Sequence, residues 1–374
     1  MRKNLQGNNL LLNNVDNWFF NGGTMSKKVT FTDVMGELDG KSDIDCSNKG
    51  LTSLEGCPER VKGDFNCAGN KLSTLEGSPK KIKGDFNCSG NKLISLEGGP
   101  VEVKGDFDCS GNQLPSLLGC PTFIMGDFSC AGNQLTVFKG EIFTNTETLL
   151  AGCPEIVEGD FNCSGNKLAS LEGAPLIVGG DYNCSDNQLT TLQGAPIKVL
   201  GDFDCSRNQL ASLAGSPDVV RGDFSCSGNQ LTSLKGVSRE VRCTFDCSAN
   251  QLTSLKGAPQ EVGVFDCSAN KLTSLKGAPQ KVDGLNCSNN QLISLKWAPE
   301  KVKGNFYCAC NQLATLEGAP KKVKGNFDCS GNQLTALEGS LKKVGGDWIC
   351  GETAQPFHEE QVRAVFNVKG NCLL

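Results

Sequence analysis

A thirteen-residue phrase governs this chain. Residues 63–75, Gly-Asp-Phe-Asn-Cys-Ala-Gly-Asn-Lys-Leu-Ser-Thr-Leu, return almost unchanged along most of its length. Cysteines at 46, 67, 88, 109, 130, 163, 184, 205, 226, 247, 267, 287, 308, 329 and 350 mark fifteen copies. Eleven of the fourteen intervals are 21 residues, two are 20 (247 to 267 and 267 to 287), and one is 33 (130 to 163). A unit this short cannot close a core by itself, so copies must stack and bury their apolar faces on one another. The 374 residues therefore predict one elongated body, not two or three globular domains.

Within a copy, Phe65 and Cys67 alternate with Asp64, Asn66 and Ala68, the period of a short strand with one buried face. Stacking turns each letter into a column. Phe recurs at 86, 107, 128, 161, 203, 224, 245, 265, 306 and 327, with Tyr182, Leu285 and Trp348 as substitutes, and predicts a continuous inward spine. Asn70 and its equivalents (91, 112, 133, 166, 187, 208, 229, 250, 270, 290, 311 and 332) predict a buried ladder whose amides satisfy turn backbone within and between coils. Gly77-Ser78-Pro79 and Gly173-Ala174-Pro175 show how copies end. Proline there forbids a regular helix, so the outer side is expected to be extended or turn-like.

The pattern Phe-x-Cys-x-x-Asn-x-Leu-x-x-Leu resembles the leucine-rich repeat signature, with Phe and Cys in the first two apolar slots. The short period and the lack of an outer helix are similar to the repeats of bacterial effector proteins. The wording G-D-F-x-C-S-G-N-x-L-T-S-L-E-G-A-P resembles leucine-rich repeat proteins of tailed bacteriophages more closely. The resemblance covers roughly residues 44–350, and Glu359 to Val368 is similar to the closing segment of those phage proteins. It implies a right-handed superhelix with a short parallel β-sheet on its concave side and a largely non-helical outer side. One departure stands out: Val61 lies four residues before Phe65, not three, which predicts an extra glycine-assisted turn at one corner.

The organisation that follows has four parts. Residues 1–24 are an Asn-rich extension with two open readings: Trp18, Phe19 and Phe20 pack on the first coil, or the segment is disordered and merely precedes a start at Met25. Residues 25–45 are expected to cover the first coil, 46–350 to form the solenoid of about fifteen coils, and 351–374 to close the far end with a short helix. The long interval contains a 12-residue insertion, residues 139–150, read as an outer loop or as a place for partner contacts.

Fifteen of the 21 cysteines occupy one ladder position, where a free thiol acts as a small apolar filler. Rungs about 4.8 Å apart with parallel Cβ vectors suit a disulfide poorly, so reduced thiols and a cytoplasmic location are expected. The first nine residues carry no apolar signal-peptide core, which agrees with that location. No run of about 18 apolar residues predicts a membrane helix. A net charge of −5 with alternating Lys and Glu argues against nucleic acid. No cofactor or metal is implied, because Cys308-x-Cys310 and Cys243-x-x-x-Cys247 lack a second pair at zinc spacing. His358 is the only histidine, no phosphate-binding loop occurs, and no enzyme is expected.

The candidate site is a pair of acidic columns on the outward strand face. Asp64, Asp85, Asp106, Asp127, Asp160, Asp181, Asp202 and Asp223 precede the aromatic column in eight successive copies. Thr244, Val264, Gly284, Asn305, Asn326 and Asp347 continue it, and Asp108, Asp204, Asp246, Asp266 and Asp328 add a neighbouring column. Carboxylates stacked about 4.8 Å apart repel, so the strip would favour a basic protein or, less readily, a divalent cation. Two plainer readings compete. Lys62, Lys83, Lys104 and Arg221 lie two residues upstream and would neutralise the column laterally, and Asp after Gly is an ordinary turn residue. Leu118, Met125, Leu200, Arg207, Trp297 and Tyr307 break the local consensus and are secondary contact candidates. The expected function is non-enzymatic protein recognition by a phage or bacterial protein inside a host cell. A virion or extracellular adhesive component is the alternative, and it requires oxidised cysteines.

Overall fold

A computed structural model describes residues 18–21, 24–138, 140–143, 148–238 and 240–374. The expectation for residues 1–17 and that for the middle of the insertion, 144–147, lie outside the described residues.

Most copies contribute two short strands. One carries the buried valine, as in Arg60–Val61 and Lys198–Val199, and the other starts at the aromatic, as in Phe65–Asn66 and Phe203–Asp204. The aromatic strands pair in parallel with their counterparts one copy on, and most of the valine strands do the same. In the aromatic ladder Phe65 meets Phe86, Phe86 meets Phe107, Phe107 meets Phe128, and Phe128 meets Phe161. The ladder crosses the 33-residue interval without losing register, because the extra residues leave as an antiparallel hairpin of Gly140–Phe143 and Thr148–Ala151. The result is a parallel β-solenoid of about fifteen coils with little helix.

Why two strands and not one follows from repeat length. In a 21-residue copy the Gly-Asp pair separates valine from aromatic and breaks the strand. In the two 20-residue copies one residue is missing, the spacing from Val262 to Phe265 and from Val282 to Leu285 falls to three, and single strands Glu261–Asp266 and Lys281–Asn286 form. The predicted extra turn is thus present wherever the extra residue is. At the merged strands the two ladders join, so they are a continuous ribbon there and parallel tracks beyond.

The core is a set of columns. Phe107 and Phe128 have ring centroids 5.4 Å apart, Tyr182 and Phe203 5.5 Å, and Phe327 and Trp348 5.1 Å. Residues outside the repeats continue the spine. Phe31, on helix α1 (Phe31–Met35), lies 6.2 Å from Phe65, and Phe366, just after helix α2 (Glu359–Val365), lies 4.8 Å from Trp348. Each fully buried aromatic removes on the order of 150–250 Å² from water, so the spine supplies much of the drive to stack.

Polar satisfaction is organised the same way. The Asn187 amide Nδ2 donates to the carbonyls of Cys184 (3.2 Å) and Ser185 (3.1 Å) in its own coil and Cys163 (3.0 Å) in the coil before. Its Oδ1 accepts from the Leu168 N–H at 3.0 Å, again in the preceding coil. Asn70 does the same and accepts from both Lys49 and Leu51 N–H. No other side chain of this size offers two donors and an acceptor in that arrangement.

All 21 cysteines are free thiols. Burial pushes ladder thiols such as Cys88, Cys109 and Cys205 well above the ordinary range, and Cys46, at the first rung, up to about 12. Cys243 and Cys310 are exposed.

Three expectations follow from this packing. Asn187→Ala strands the Leu168 N–H and removes one of the two donors to each of the Cys163, Cys184 and Ser185 carbonyls, and should lower stability by about 1–3 kcal/mol in urea unfolding, with faster amide exchange in the two adjoining coils. Buried rungs such as Cys88, Cys109 and Cys205 stay protonated in the folded chain above pH 9, whereas unfolded thiols ionise there; Cys350, at the last rung, is shifted the other way by its contact with Cys329. Stability is therefore retained below about pH 8.5 and lost above it, by about 1.4 kcal/mol per pH unit for each thiol in the coils that open together. Melting temperature should fall steeply from pH 8 to 10, and under native conditions at pH 7 a thiol reagent should modify Cys243 and Cys310 first.

Candidate interaction surface

The aspartate column has a structural origin that the sequence leaves open. The extra residue of the 21-residue copy puts the aspartate's own N–H beyond the strand ladder, where it needs an acceptor. The preceding coil supplies one. The Asp85 N–H donates to Asp64 Oδ1 at 2.9 Å, Asp106 to Asp85 at 2.9 Å, Asp127 to Asp106 at 2.8 Å, and Asp160 to Asp127 at 2.8 Å. Asp181, Asp202 and Asp223 continue with bonds of 2.7 Å to the carboxylate one coil back, and the Thr244 N–H takes Asp223 at 2.6 Å. Asn326 and Asp347 make the bond to Asn305 and Asn326, both at 2.9 Å. The column is a chain of backbone staples for which an amide oxygen serves as well as a carboxylate.

The glycine ahead of each aspartate belongs to the same device. A Cβ at Gly84 would overlap the Asp64 carboxylate, and one at Gly159 the Asp127 carboxylate. Glycine and aspartate are thus coupled between coils, one opening the space that the other fills. Val264 and Gly284 occur where the strand is continuous, so no staple is required.

In the neighbouring column Asp108 Oδ1 accepts from the Ser110 N–H at 2.9 Å and Asp204 Oδ1 from the Ser206 N–H at 2.9 Å, closing turns within one coil. Asn66 and Asn162 do likewise. The expected lateral neutralisation is not how the columns are compensated. Among the described residues no ion pair joins these aspartates to a lysine or arginine, and Lys104 turns to Glu102 at 3.8 Å. Asp64 through Asp202 remain exposed, and Asp223, Asp108 and Asp204 are half-buried. One carboxylate oxygen of each is therefore held while the group as a whole still faces solvent. Among the described residues no three His, Cys, Asp or Glu side chains converge on a point suited to a metal ion.

The secondary candidates divide. Arg207 is engaged by a two-bond fork to Asp186, 2.7 Å at each nitrogen, across adjacent coils. Trp297 replaces a turn glycine at φ +79°, is 51 % exposed, and lies with Lys296 Nζ 5.8 Å from its ring. A left-handed backbone at tryptophan costs about 1–2 kcal/mol, which the turn carries for the sake of a side chain held in solvent. Tyr307 is half-buried at the rim of a 320 Å³ recess whose lining includes Val264, Gly284 and Leu285, where the missing residue leaves the sheet face indented. Leu118 is half-buried, while Met125 and Leu200 are exposed. Sequence reasoning picked these two singly and missed their neighbours Phe123, Ile156, Ile177 and Ile197, all exposed. The signal was available in the columns just before the buried valine.

With its parallel in-register coils, asparagine ladder and short repeats, the molecule has the leucine-rich repeat fold. It is similar in structure to YopM from Yersinia enterocolitica, with a TM-score of 0.62 at 22 % identity over 83 % of this chain and 69 % of that one. A second solved structure, the LRIM1/APL1C complex, contains a chain similar at a TM-score of 0.54 and 16 % identity, over 87 % of this chain and 63 % of the other. At such identities the likeness concerns the fold. No family model matches the sequence, and no curated protein does.

Asp127 separates the two roles of the column. Asp127→Asn keeps an acceptor for the Asp160 N–H and should change stability by less than about 0.5 kcal/mol, whereas Asp127→Ala strands that N–H and should cost about 1 kcal/mol. Urea unfolding of the pair against the parent chain measures the difference.

Proposed function

We propose that this protein is a non-enzymatic recognition scaffold that holds a basic protein partner across the acidic face of its sheet. The observation that carries the reading is the aspartate column itself. Its carboxylates are fixed by the next coil's backbone yet exposed, so a charged surface stands ordered before any partner arrives and little ordering entropy is left for binding to overcome. The use of solenoids as extended binding surfaces, and the solved LRIM1/APL1C complex on the same fold, support it. The phage-like wording of the repeat supports a further step, that the partner belongs to the host cell of a bacteriophage. Free thiols throughout favour the reducing interior of that cell over a virion or surface role. No helix among the described residues is long and apolar enough to cross a membrane.

Asparagine keeps the staple and removes the charge, which makes the test clean. Proteins captured by the full chain from a bacterial lysate should bind the D106N/D127N/D160N variant about tenfold more weakly, with the loss shrinking at high salt and the melting temperature unchanged. Equal retention by that variant would overturn the acidic-face reading.

A further inference from the structure

Strands of the valine ladder differ along the chain in what they show to solvent. Just before the buried valine, coils near the ends carry charge: Arg60, Lys81, Lys301 and Lys322. Central coils carry Phe123, Ile156 and Ile177 in that position, 51 %, 54 % and 44 % exposed. One column over, Leu176 and Ile197 are 48 % and 60 % exposed. Ile156 and Ile177 are register partners, and the Ile197 N–H donates to the Leu176 carbonyl at 3.0 Å, so these side chains form one strip. Since charged residues fill the position elsewhere, the fold does not require apolar ones here.

The ladder is also broken under this strip. Among the described residues no backbone hydrogen bond joins residues 122–125 to residues 155–158, although the equivalent joint carries Lys83 N–H to Val61 O at 3.1 Å and Lys104 N–H to Ile82 O at 3.2 Å. Just beyond the break the stack is closed again: the Gly159 N–H reaches Gly126 O at 3.4 Å and the Phe128 N–H reaches Asp160 O at 2.7 Å. The opening is a groove of 510 Å³ walled by Phe123, Ile124, Pro154 and Ile156, with Glu155 and Glu158 at its rim. Eleven acidic and four basic residues fall between positions 104 and 198, a net charge of −7 in a chain whose total is −5, with Lys198, the register partner of Ile177, closing the strip.

We propose that this groove and strip bind an extended segment of a partner protein in which apolar and basic side chains alternate. Backbone groups facing the break are available for pairing with a strand from outside. The apolar walls take one face of such a strand, and the acidic rim selects basic residues beside it. A second copy of this chain would bring the same negative charge against itself, which disfavours a symmetric dimer through this face. The inference rests on the scaffold reading and locates its primary contact.

The test uses the full chain and a capped, fluorescently labelled octapeptide alternating lysine with isoleucine, read by anisotropy. Saturable binding is expected, weakened about tenfold or more by Ile156→Asp and separately by Phe123→Asp, both at exposed positions whose variants should melt like the parent. Ile293→Asp, 68 % exposed and outside the strip, should leave binding unchanged. Backbone N-methylation of the peptide should abolish binding, and a glutamate–isoleucine peptide should not bind. Absence of saturable binding, equal binding by I156D, or equal affinity for the acidic peptide would overturn the proposal. So would a dimer in light scattering that I156D dissolves. A captured lysate protein that binds I156D undiminished, yet loses affinity for the triple asparagine variant, would remove the groove and leave the scaffold reading standing.

Discussion

Everything in this molecule depends on each coil satisfying its neighbour's backbone. A 21-residue unit has too little interior to bury its own turns, so the acceptors and donors it cannot supply must come from the coil above or below. The asparagine amide does this inside the turn, bridging Cys163, Cys184 and Leu168 through Asn187 alone. Aspartate does it at the corner, where Asp127 receives the Asp160 N–H. Both bonds require the same register that the aromatic spine imposes, so packing and polar satisfaction select one alignment together. A slip of one residue would move the phenylalanines to solvent and disconnect both sets of staples at once.

Repeat length then decides the surface. One residue more than the continuous strand needs produces a corner, the corner strands an N–H, and the stranded N–H calls for an acceptor side chain one coil away. Glycine must precede that acceptor, because the carboxylate of the preceding coil occupies the space a Cβ would take at Gly84. Remove the residue, as between Val262 and Phe265, and corner, glycine and aspartate all lose their reason together. The run of acidic residues is thus first a consequence of backbone geometry, and its charge is an additional property that asparagine at 305 and 326 shows to be dispensable for the staple.

Much of this was legible in the sequence because periodicity converts a letter into an environment. The aromatic, thiol and asparagine columns, and the corner implied by the distance from Val61 to Phe65, could be assigned inside or outside before any coordinates. What periodicity could not settle was why a repeated outward residue repeats. Asp64 could be read as a ligand, a turn residue or one half of a lateral ion pair, and only the bond from the Asp85 N–H separates those cases. Arg207 was read as a free contact for the same reason, its fork to Asp186 being invisible until two successive coils are superposed. The break between residues 122–125 and 155–158 was hidden because the aromatic ladder keeps register across the insertion while the valine ladder does not.

It follows where specificity can reside. A residue that recurs in every coil to satisfy the stack offers the same group at each step, and a uniform surface distinguishes partners by net charge and little else. Discrimination needs departures from the period that the stack does not demand. The candidates are few: the indentation beside Tyr307, the solvent-held Trp297, and the central coils where lysine gives way to Phe123, Ile156 and Ile177. Of these, only the central coils combine exposed apolar area, an open strand edge and a concentrated charge of one sign. Apolar area without charge would bind indiscriminately, and charge without apolar area would release its partner at physiological salt, where exposed charges are screened beyond about 8 Å. Their coincidence over a few coils is what sets that region apart from the rest of an otherwise monotonous stack.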